Sequence, residues 1–291
     1  MTLNTIRWDI DIVALSSIVH RGSDNDAAGT DTTAMFRTEK IITADGELLD
    51  VPILSGSSFR GVLRRIGEEL TAAVLDYEDI ALPVPAAHLL TNGGRLGKSA
   101  TPLTDEEERH LKALLPQIAV FGGAASGRLM SGLLTVGKVL PEVTELAHIL
   151  PRPPRTTPLP DAVYTFAEES FTHLDDHRPR ADQSPRTDRD ENTSPLGRFD
   201  IETLPAGTLL QTWVRITYAT SHQVAFLHDV LSAFGRRGHL GGRRAAGHGN
   251  ITANFSEIEA ERGQLPDKTV DWEAELRAHR DDAIAALSKL T

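Results

Sequence analysis

The chain of 291 residues contains no cysteine. This absence excludes a disulfide framework and any metal site built from thiolates, so we expect a reducing, cytoplasmic location and no cofactor. Long apolar runs are missing too, and we expect no membrane partner because no segment could span a bilayer. The short signatures of common hydrolases, G-x-S-x-G and H-E-x-x-H, are also absent. These absences favour a binding protein over an enzyme.

Positive charge is scarce: 30 lysines and arginines stand against 41 acids, which gives a net charge of −11. Basic side chains drive nucleic-acid binding by displacing counterions from phosphates, so this balance argues at first against a nucleic-acid partner. The distribution of charge argues the other way. No acid lies between residues 51 and 67 or between residues 230 and 256, although arginines are frequent in both stretches. We therefore predict locally basic loops on an acidic surface.

The apolar pattern predicts alternating strands and helices. Apolar and polar residues alternate over residues 6–12 and 207–218, which is typical of strands with one buried face. A helical spacing follows each strand, over residues 59–70 and 224–234. With two further strands, the order strand, helix, insertion, strand, arm, strand, helix, strand predicts an α+β fold. We expect a ferredoxin-like (RRM-like) sheet with helices on one face.

The ends of the helices are predicted from capping residues. Ser57 or Ser58 is expected to cap the first long helix, and Ser221 the second. Thr104 and Glu107 match the capping box of a short helix that runs to residue 115. At the end of the chain, residues 271–290 carry apolar residues at helical spacing. They predict one amphipathic helix.

Two segments do not fit the core pattern. Between residues 82 and 104, proline, glycine and asparagine interrupt every period, which predicts an inserted lid. Residues 168–195 are polar and charged with few large apolar side chains. Such a segment cannot bury enough apolar area to order itself, so we expect an extended arm or flexible loop.

The glycine-rich segment 238–249 is the strongest candidate site. Its alternative reading is an ordinary turn between a helix and a strand. Four arginines and two histidines in and before it, with no acid, favour phosphate binding, because guanidinium groups bind phosphates bidentately and glycines allow close approach. The turn at residues 55–60 adds a helix N-terminus, which attracts anions. Together the two elements predict a groove for RNA.

Four motifs occur in order: PILSGSSFRGVLR (residues 52–64), FGGAASGRLMSGLLTVGKV (121–139), ETLPAGT (202–208) and LGGRRAAGHGNI (240–251). This set resembles the RAMP superfamily of CRISPR-associated proteins, and specifically the backbone subunit that lines the guide RNA. The segment from residue 16 to residue 56 is most similar to the type IV branch, which is related to the type III backbone subunit.

The resemblance implies one domain, with a palm (1–81, 117–162 and 201–291), an inserted lid or fingers (82–116) and a thumb (163–200). Subunits of the family stack head to tail in a helical filament on guide RNA (crRNA) for antiviral interference. The implied partners are crRNA, copies of the chain, other CRISPR effector subunits and a complementary target nucleic acid. The basic loops and the motifs together assign RNA binding to His20, Arg21, Ser55, Gly56, Ser57, Ser58, Arg60, Arg64, Arg128, Arg236, Arg237, Arg243, Arg244 and His248.

The resemblance also leaves an enzymatic alternative open. Type III backbone subunits cut target RNA with an aspartate in the loop after the first strand, and Asp24, Asp26 and Asp31 lie in that part of this sequence. None of them follows the family spacing, because Asp31-Thr-Thr-Ala stands where Asp-x-Pro is expected. We therefore expect a non-catalytic subunit, with a metal-dependent RNA endonuclease as the alternative.

Overall fold

A computed structural model describes residues 3–22, 33–77, 80, 82–174, 196–267 and 269–291. The strands are β1 (Asn4–Ala14), β2 (Thr33–Ala34), β3 (Thr38–Ile42), β4 (Leu48–Pro52), β5 (Gly123–Ala125), β6 (Arg128–Met130), β7 (Leu134–Val136), β8 (Leu140–Pro141), β9 (Ala167–Leu174), β10 (Leu196–Thr203), β11 (Leu209–Ala219) and β12 (Ile251–Arg262). The helices are α1 (Gly56–Leu75), α2 (Val84–Asn92), α3 (Asp105–Leu114), α4 (Pro116–Phe121), α5 (Ser221–Arg237), α6 (Trp272–Ala278) and α7 (Arg280–Ser288). None of the described helices is both long and apolar enough to cross a bilayer.

The central sheet has the strand order β12, β1, β11, β7, with β8 also paired to β11. All of these pairs are antiparallel. Helix α1 lies between β1 and β7 in the chain, and α5 connects β11 to β12. The predicted α+β class is confirmed, and the strand order follows the split βαβ pattern on which the prediction rested.

The helices cover one face of this sheet. Ile6, Trp8 and Ile10 of β1 are at most 1% exposed, as their alternation predicts, and they belong to the same core as α1 and α5. Phe59 of α1 meets Phe234 of α5 edge to face, with ring centroids 5.4 Å apart. The ends of the two long helices are therefore fixed relative to each other.

The proline-rich segment 151–160, which we call the strap, crosses the centre of the opposite face of the sheet. Arg152 of the strap forms ion pairs with Asp9, at 3.1 Å, and with Asp11. Arg155 forms a 2.7 Å ion pair with the buried Glu142 and donates to two backbone carbonyls of the sheet. The strap thus neutralises the acids on the centre of this face.

Several predicted helix ends move by a few residues. Ser55, not Ser57 or Ser58, caps α1, because its backbone is extended (φ −66°, ψ 143°) and its hydroxyl accepts from the Ser58 N–H. Thr220, not Ser221, caps α5 for the same reason. The capping box of Thr104 and Glu107 is present as predicted.

The C-terminal segment forms two helices, α6 and α7, where one was predicted. The helical path is interrupted at His279, whose backbone leaves the α region (φ −108°, ψ 21°). The predicted apolar seam is nevertheless buried along both helices. It consists of Trp272, Leu276, Ala283 and Leu287.

The ends of the predicted arm form an ordered hairpin. Strands β9 and β10 pair antiparallel along their whole described length, with Phe171 opposite Phe199. Glu202 of β10 accepts a 2.8 Å hydrogen bond from the backbone N–H of Phe36, and β2 pairs parallel with β10. These ends are extended, as the first of the two predicted alternatives has it, and they are not a flexible loop, because cross-strand hydrogen bonds supply the order that apolar burial does not. Residues 175–195 lie outside the described part of the chain.

Candidate nucleic-acid interface

The glycine-rich loop is folded tightly against the segment after β1. Gly238 ends α5 in a left-handed conformation (φ 54°), and a Cβ at this position would collide with the carbonyl oxygen of Ile251. The Gly249 N–H donates to the Ser17 carbonyl at 2.8 Å, and the Gly242 N–H donates to the Val19 carbonyl at the same distance. The backbone is thus held from both sides. The side chains of residues 243 and 244 are left at the surface.

Arg243 connects this loop to the arm. It adopts a left-handed backbone (φ 55°), which is uncommon for a residue with a side chain. Its guanidinium carbon lies 3.8 Å from the centroid of the Phe171 ring, within the range of a cation–π contact. Phe171 in turn stacks on Phe199, with centroids 5.5 Å apart and planes 20° apart. A guanidinium and a two-ring stack therefore lie side by side.

A cleft of about 310 Å³, which we call the basic cleft, lies between α1, the end of α5 and the glycine-rich loop. Burial and the neighbouring Arg244 lower the pKa of His239 in this cleft, so its imidazole is neutral at physiological pH. The cleft is lined by Val62, Arg65, Ile66, Glu69, Phe234, Arg237, His239, Gly241, Arg243 and Arg244. Among the described residues, four arginines and one carboxylate line the cleft, and this excess of positive charge favours anions.

Arg65 is the member of the cleft that sequence reasoning missed. It lies in the acid-free stretch of α1 and is exposed, next to the buried Ile66. A helical periodicity identifies the side of α1 that packs against α5. It does not show that the glycine-rich loop closes over the edge of that side. The only available signal was the absence of acids between residues 51 and 67.

Arg236 points into a different opening. This second cleft, of about 580 Å³, lies between the end of α5 and the start of β12 and is also lined by Arg237. Because Arg237 lines both clefts, the end of α5 forms a ridge between them. The structure therefore brings Arg237, Arg243 and Arg244 together and places Arg236 on the adjacent side.

His20 supports the N-terminus of α1. Its Nε2 accepts a 3.1 Å hydrogen bond from the Ser55 N–H, and Ser55 and Ser57 hydroxyls lie 3.1 Å apart. Burial, with the charge of Arg37 second, lowers the pKa of His20 and keeps the ring neutral to accept that bond. The first N–H groups of a helix, here those of Gly56 and Ser57, have no intrahelical partners and are available to an anion.

Arg21 and His248 occupy different surroundings. Arg21 is exposed and bridges to Phe36 through its backbone. The Nδ1 of His248 lies 2.9 Å from the Ser17 hydroxyl and 3.9 Å from a carboxylate oxygen of Glu169 in β9. His248 thus helps to hold the glycine-rich loop near the arm, and its side chain is only 12% exposed.

Arg60 and Arg64, assigned to RNA on sequence grounds, point into the protein. Arg60 donates to the carbonyls of Phe121 and Leu134. Arg64 donates to the carbonyls of Leu89, Phe121 and Gly122 at 3.2, 2.8 and 2.9 Å. Burial, together with the charge of Arg60, lowers the pKa of Arg64 to about 10. The two guanidinium groups attach the end of α4 and the residues that follow it to α1. They do not line the basic cleft.

Arg64→Ala is expected to lower the free energy of unfolding by about 3 kcal/mol, because three backbone carbonyls would lose a charged donor inside the protein. Urea unfolding followed by circular dichroism measures this change. Arg65→Ala is the control, because the side chain of Arg65 is exposed. This variant should lower the free energy of unfolding by less than about 0.5 kcal/mol. Equal losses for the two variants would contradict the structural role of Arg64.

Arg128 is also occupied. It forms ion pairs with Glu108 and, at 2.6 Å, with Asp105, both on α3. These bonds tie the β5–β6 hairpin to the predicted lid, which contains α2 and α3. The Arg128 guanidinium, which the sequence assigned to RNA, is therefore already paired with acids of this chain.

The predicted catalytic candidates Asp24, Asp26 and Asp31 lie outside the described residues. Within the part of the chain that the structure describes, no cluster of three histidine or acidic side chains is arranged to hold a metal ion. The chemistry that the described site supports is anion binding next to stacked aromatic rings.

Comparison with known proteins shows the family of the chain. A family model described as the RAMP superfamily matches residues 12–252. The chain is similar to a solved structure described as "Type IV-B CRISPR Complex", with 55% sequence identity over 91% of this chain and 96% of that chain, and a TM-score of 0.61. No curated protein matches the chain.

Proposed function

The chain belongs to the RAMP superfamily, and from that premise we propose that it is a crRNA-binding backbone subunit of a type IV CRISPR effector complex. The observation that carries the proposal is the basic cleft, where Arg65, Arg237, Arg243 and Arg244 converge. Guanidinium groups bind phosphates bidentately, and a row of phosphates is the ligand that four of them suit best.

The aromatic stack beside the cleft favours a single strand over a duplex. Phe171 lies against Arg243 and stacks on Phe199, which is 38% exposed. Unpaired bases stack on such rings without regard to sequence, whereas paired bases in a duplex cannot reach them. A guide RNA, which must keep its bases available, fits this combination of phosphate and base contacts.

Assembly along the RNA is the second part of the proposal. The β9–β10 hairpin carries the residues assigned to the thumb, and Val163 and Tyr164 at its root are 69% and 80% exposed. Head-to-tail contacts between identical subunits generate open helical filaments. We propose that this arm contacts the next copy of the chain, and that other effector subunits and a complementary target nucleic acid bind the finished assembly.

Nuclease protection tests the function. Protein purified without nuclease should carry RNA that ribonuclease digests completely only after the protein is unfolded. Limited digestion of the folded complex should give a ladder of protected fragments. In a separate sample without ribonuclease, complementary RNA added with Mg²⁺ should remain intact. Protein free of RNA would contradict the proposal, and target cut at regular intervals would assign an endonuclease instead.

A further inference from the structure

Glu69 is the one carboxylate, among the residues that the structure describes, that lines the basic cleft. It lies one helical turn after Arg65 on α1, and its Oε2 is 2.5 Å from a terminal nitrogen of Arg237. The two side chains are 54% and 35% exposed, so the pair is open to solvent and to exchange of partners. An acid in this position is unexpected in a cleft that otherwise suits anions.

The other guanidinium groups of the cleft have no carboxylate partner in the part of the chain that the structure describes, although Arg243 contacts the Phe171 ring. Among the described residues, no carboxylate lies within ion-pair distance of Arg65, Arg243 or Arg244, whereas Arg237 is occupied by Glu69. A carboxylate presents two oxygens to a guanidinium much as a phosphate does. The Glu69 carboxylate therefore uses the donor that an arriving phosphate would use.

We propose that Glu69 is an internal competitor for phosphate at Arg237 and sets the affinity and selectivity of the cleft. This inference rests on the proposed function and deepens it. A single phosphate must displace Glu69 and remain near its charge. A continuous strand engages Arg65, Arg243 and Arg244 at the same time, and these contacts offset that cost. Glu69 thus favours a polynucleotide over small anions.

The neighbouring acid shows that this arrangement is specific to one position. Glu68 accepts a 2.7 Å hydrogen bond from the hydroxyl of Tyr77 and does not line the cleft. Glu106 on α3 is exposed and also lies outside the cleft lining. Neutralising Glu106 therefore changes the net charge by the same amount without freeing Arg237.

Fluorescence anisotropy with a labelled single-stranded RNA at fixed salt concentration tests the inference. Glu69→Gln should tighten binding about fivefold, as expected for loss of one exposed competing pair. Glu106→Gln should leave the dissociation constant within about twofold. In an Arg237→Gln background, Glu69→Gln should give less than half of its effect on the free energy of binding, because the contact through which it acts is gone.

The outcomes separate two failures. If wild-type protein binds RNA and Glu69→Gln binds no more tightly, Glu69 is not a competitor and the inference is overturned. An equal gain in the presence and absence of Arg237 would likewise overturn it, since the effect would then be one of overall charge. If neither the wild-type chain nor any variant binds RNA, the proposed function itself fails. Melting temperatures within a few degrees of wild type should accompany each comparison.

Discussion

Replacing Arg243 and Arg244 together by glutamate is expected to abolish retention of guide RNA during purification. Both side chains line the basic cleft, and neither has a carboxylate partner among the described residues. The change removes two phosphate contacts and places two negative charges at the same positions. We expect affinity for single-stranded RNA to fall by at least about 100-fold, and the slope of log affinity against log salt to fall by about 1.4.

A double variant with the same charge change elsewhere is the control. Arg109→Glu with Arg277→Glu alters exposed arginines of α3 and α6, which do not line the cleft. This variant should retain RNA. If the protein with glutamate at positions 243 and 244 still copurifies with full-length guide RNA, the assignment of the glycine-rich loop to RNA binding is wrong.

Removal of residues 173–197, the outer part of the arm, is expected to abolish filament formation without unfolding the subunit. A short Gly-Ser linker should join residue 172 to residue 198. The deletion leaves Phe171 and Phe199 in place. A longer deletion from residue 165 to residue 200 would remove Thr165, which is 6% exposed, and Phe166, which packs on the core. The shorter deletion therefore keeps the residues of the arm that pack against the core.

Electron microscopy and light scattering in the presence of RNA measure this effect. The deletion variant should remain a monomer or form short particles, with a melting temperature within a few degrees of wild type. A variant in which residues 173–197 are replaced by a Gly-Ser segment of equal length shows whether length or sequence matters. Normal filaments from either variant would refute the role of the arm.

The elements predicted correctly from sequence are those defined by short-range periodicity. The alternation over residues 6–12 marks β1, and the apolar spacing over residues 59–70 marks α1. The Thr104 and Glu107 capping box was predictable because both partners lie within one turn. Such patterns record only which side of an element is buried. They do not record what lies against it.

The errors arise where distant segments meet. The spacing of Arg60 and Arg64 shows that they share a side of α1, but the carbonyls they contact come from residues 25 to 74 positions away. The β9–β10 hairpin was missed because its strands are separated by a long polar stretch. Arg65 was omitted from the site for the same reason, since the loop that makes it part of a cleft folds back from beyond α5.

The strap limits what this protein is able to recognise. In RRM-like sheets the uncovered face is where bases are stacked and their edges are read. Here Arg152 and Arg155 fill the centre of that face through their bonds to Asp9, Asp11 and Glu142. In the function that we propose, the RNA strand therefore binds at the rim of the fold, through its phosphates in the basic cleft and through stacking of unpaired bases on the aromatic pair. Neither contact distinguishes one base from another, so a subunit that binds RNA in this way would accept guides of any sequence.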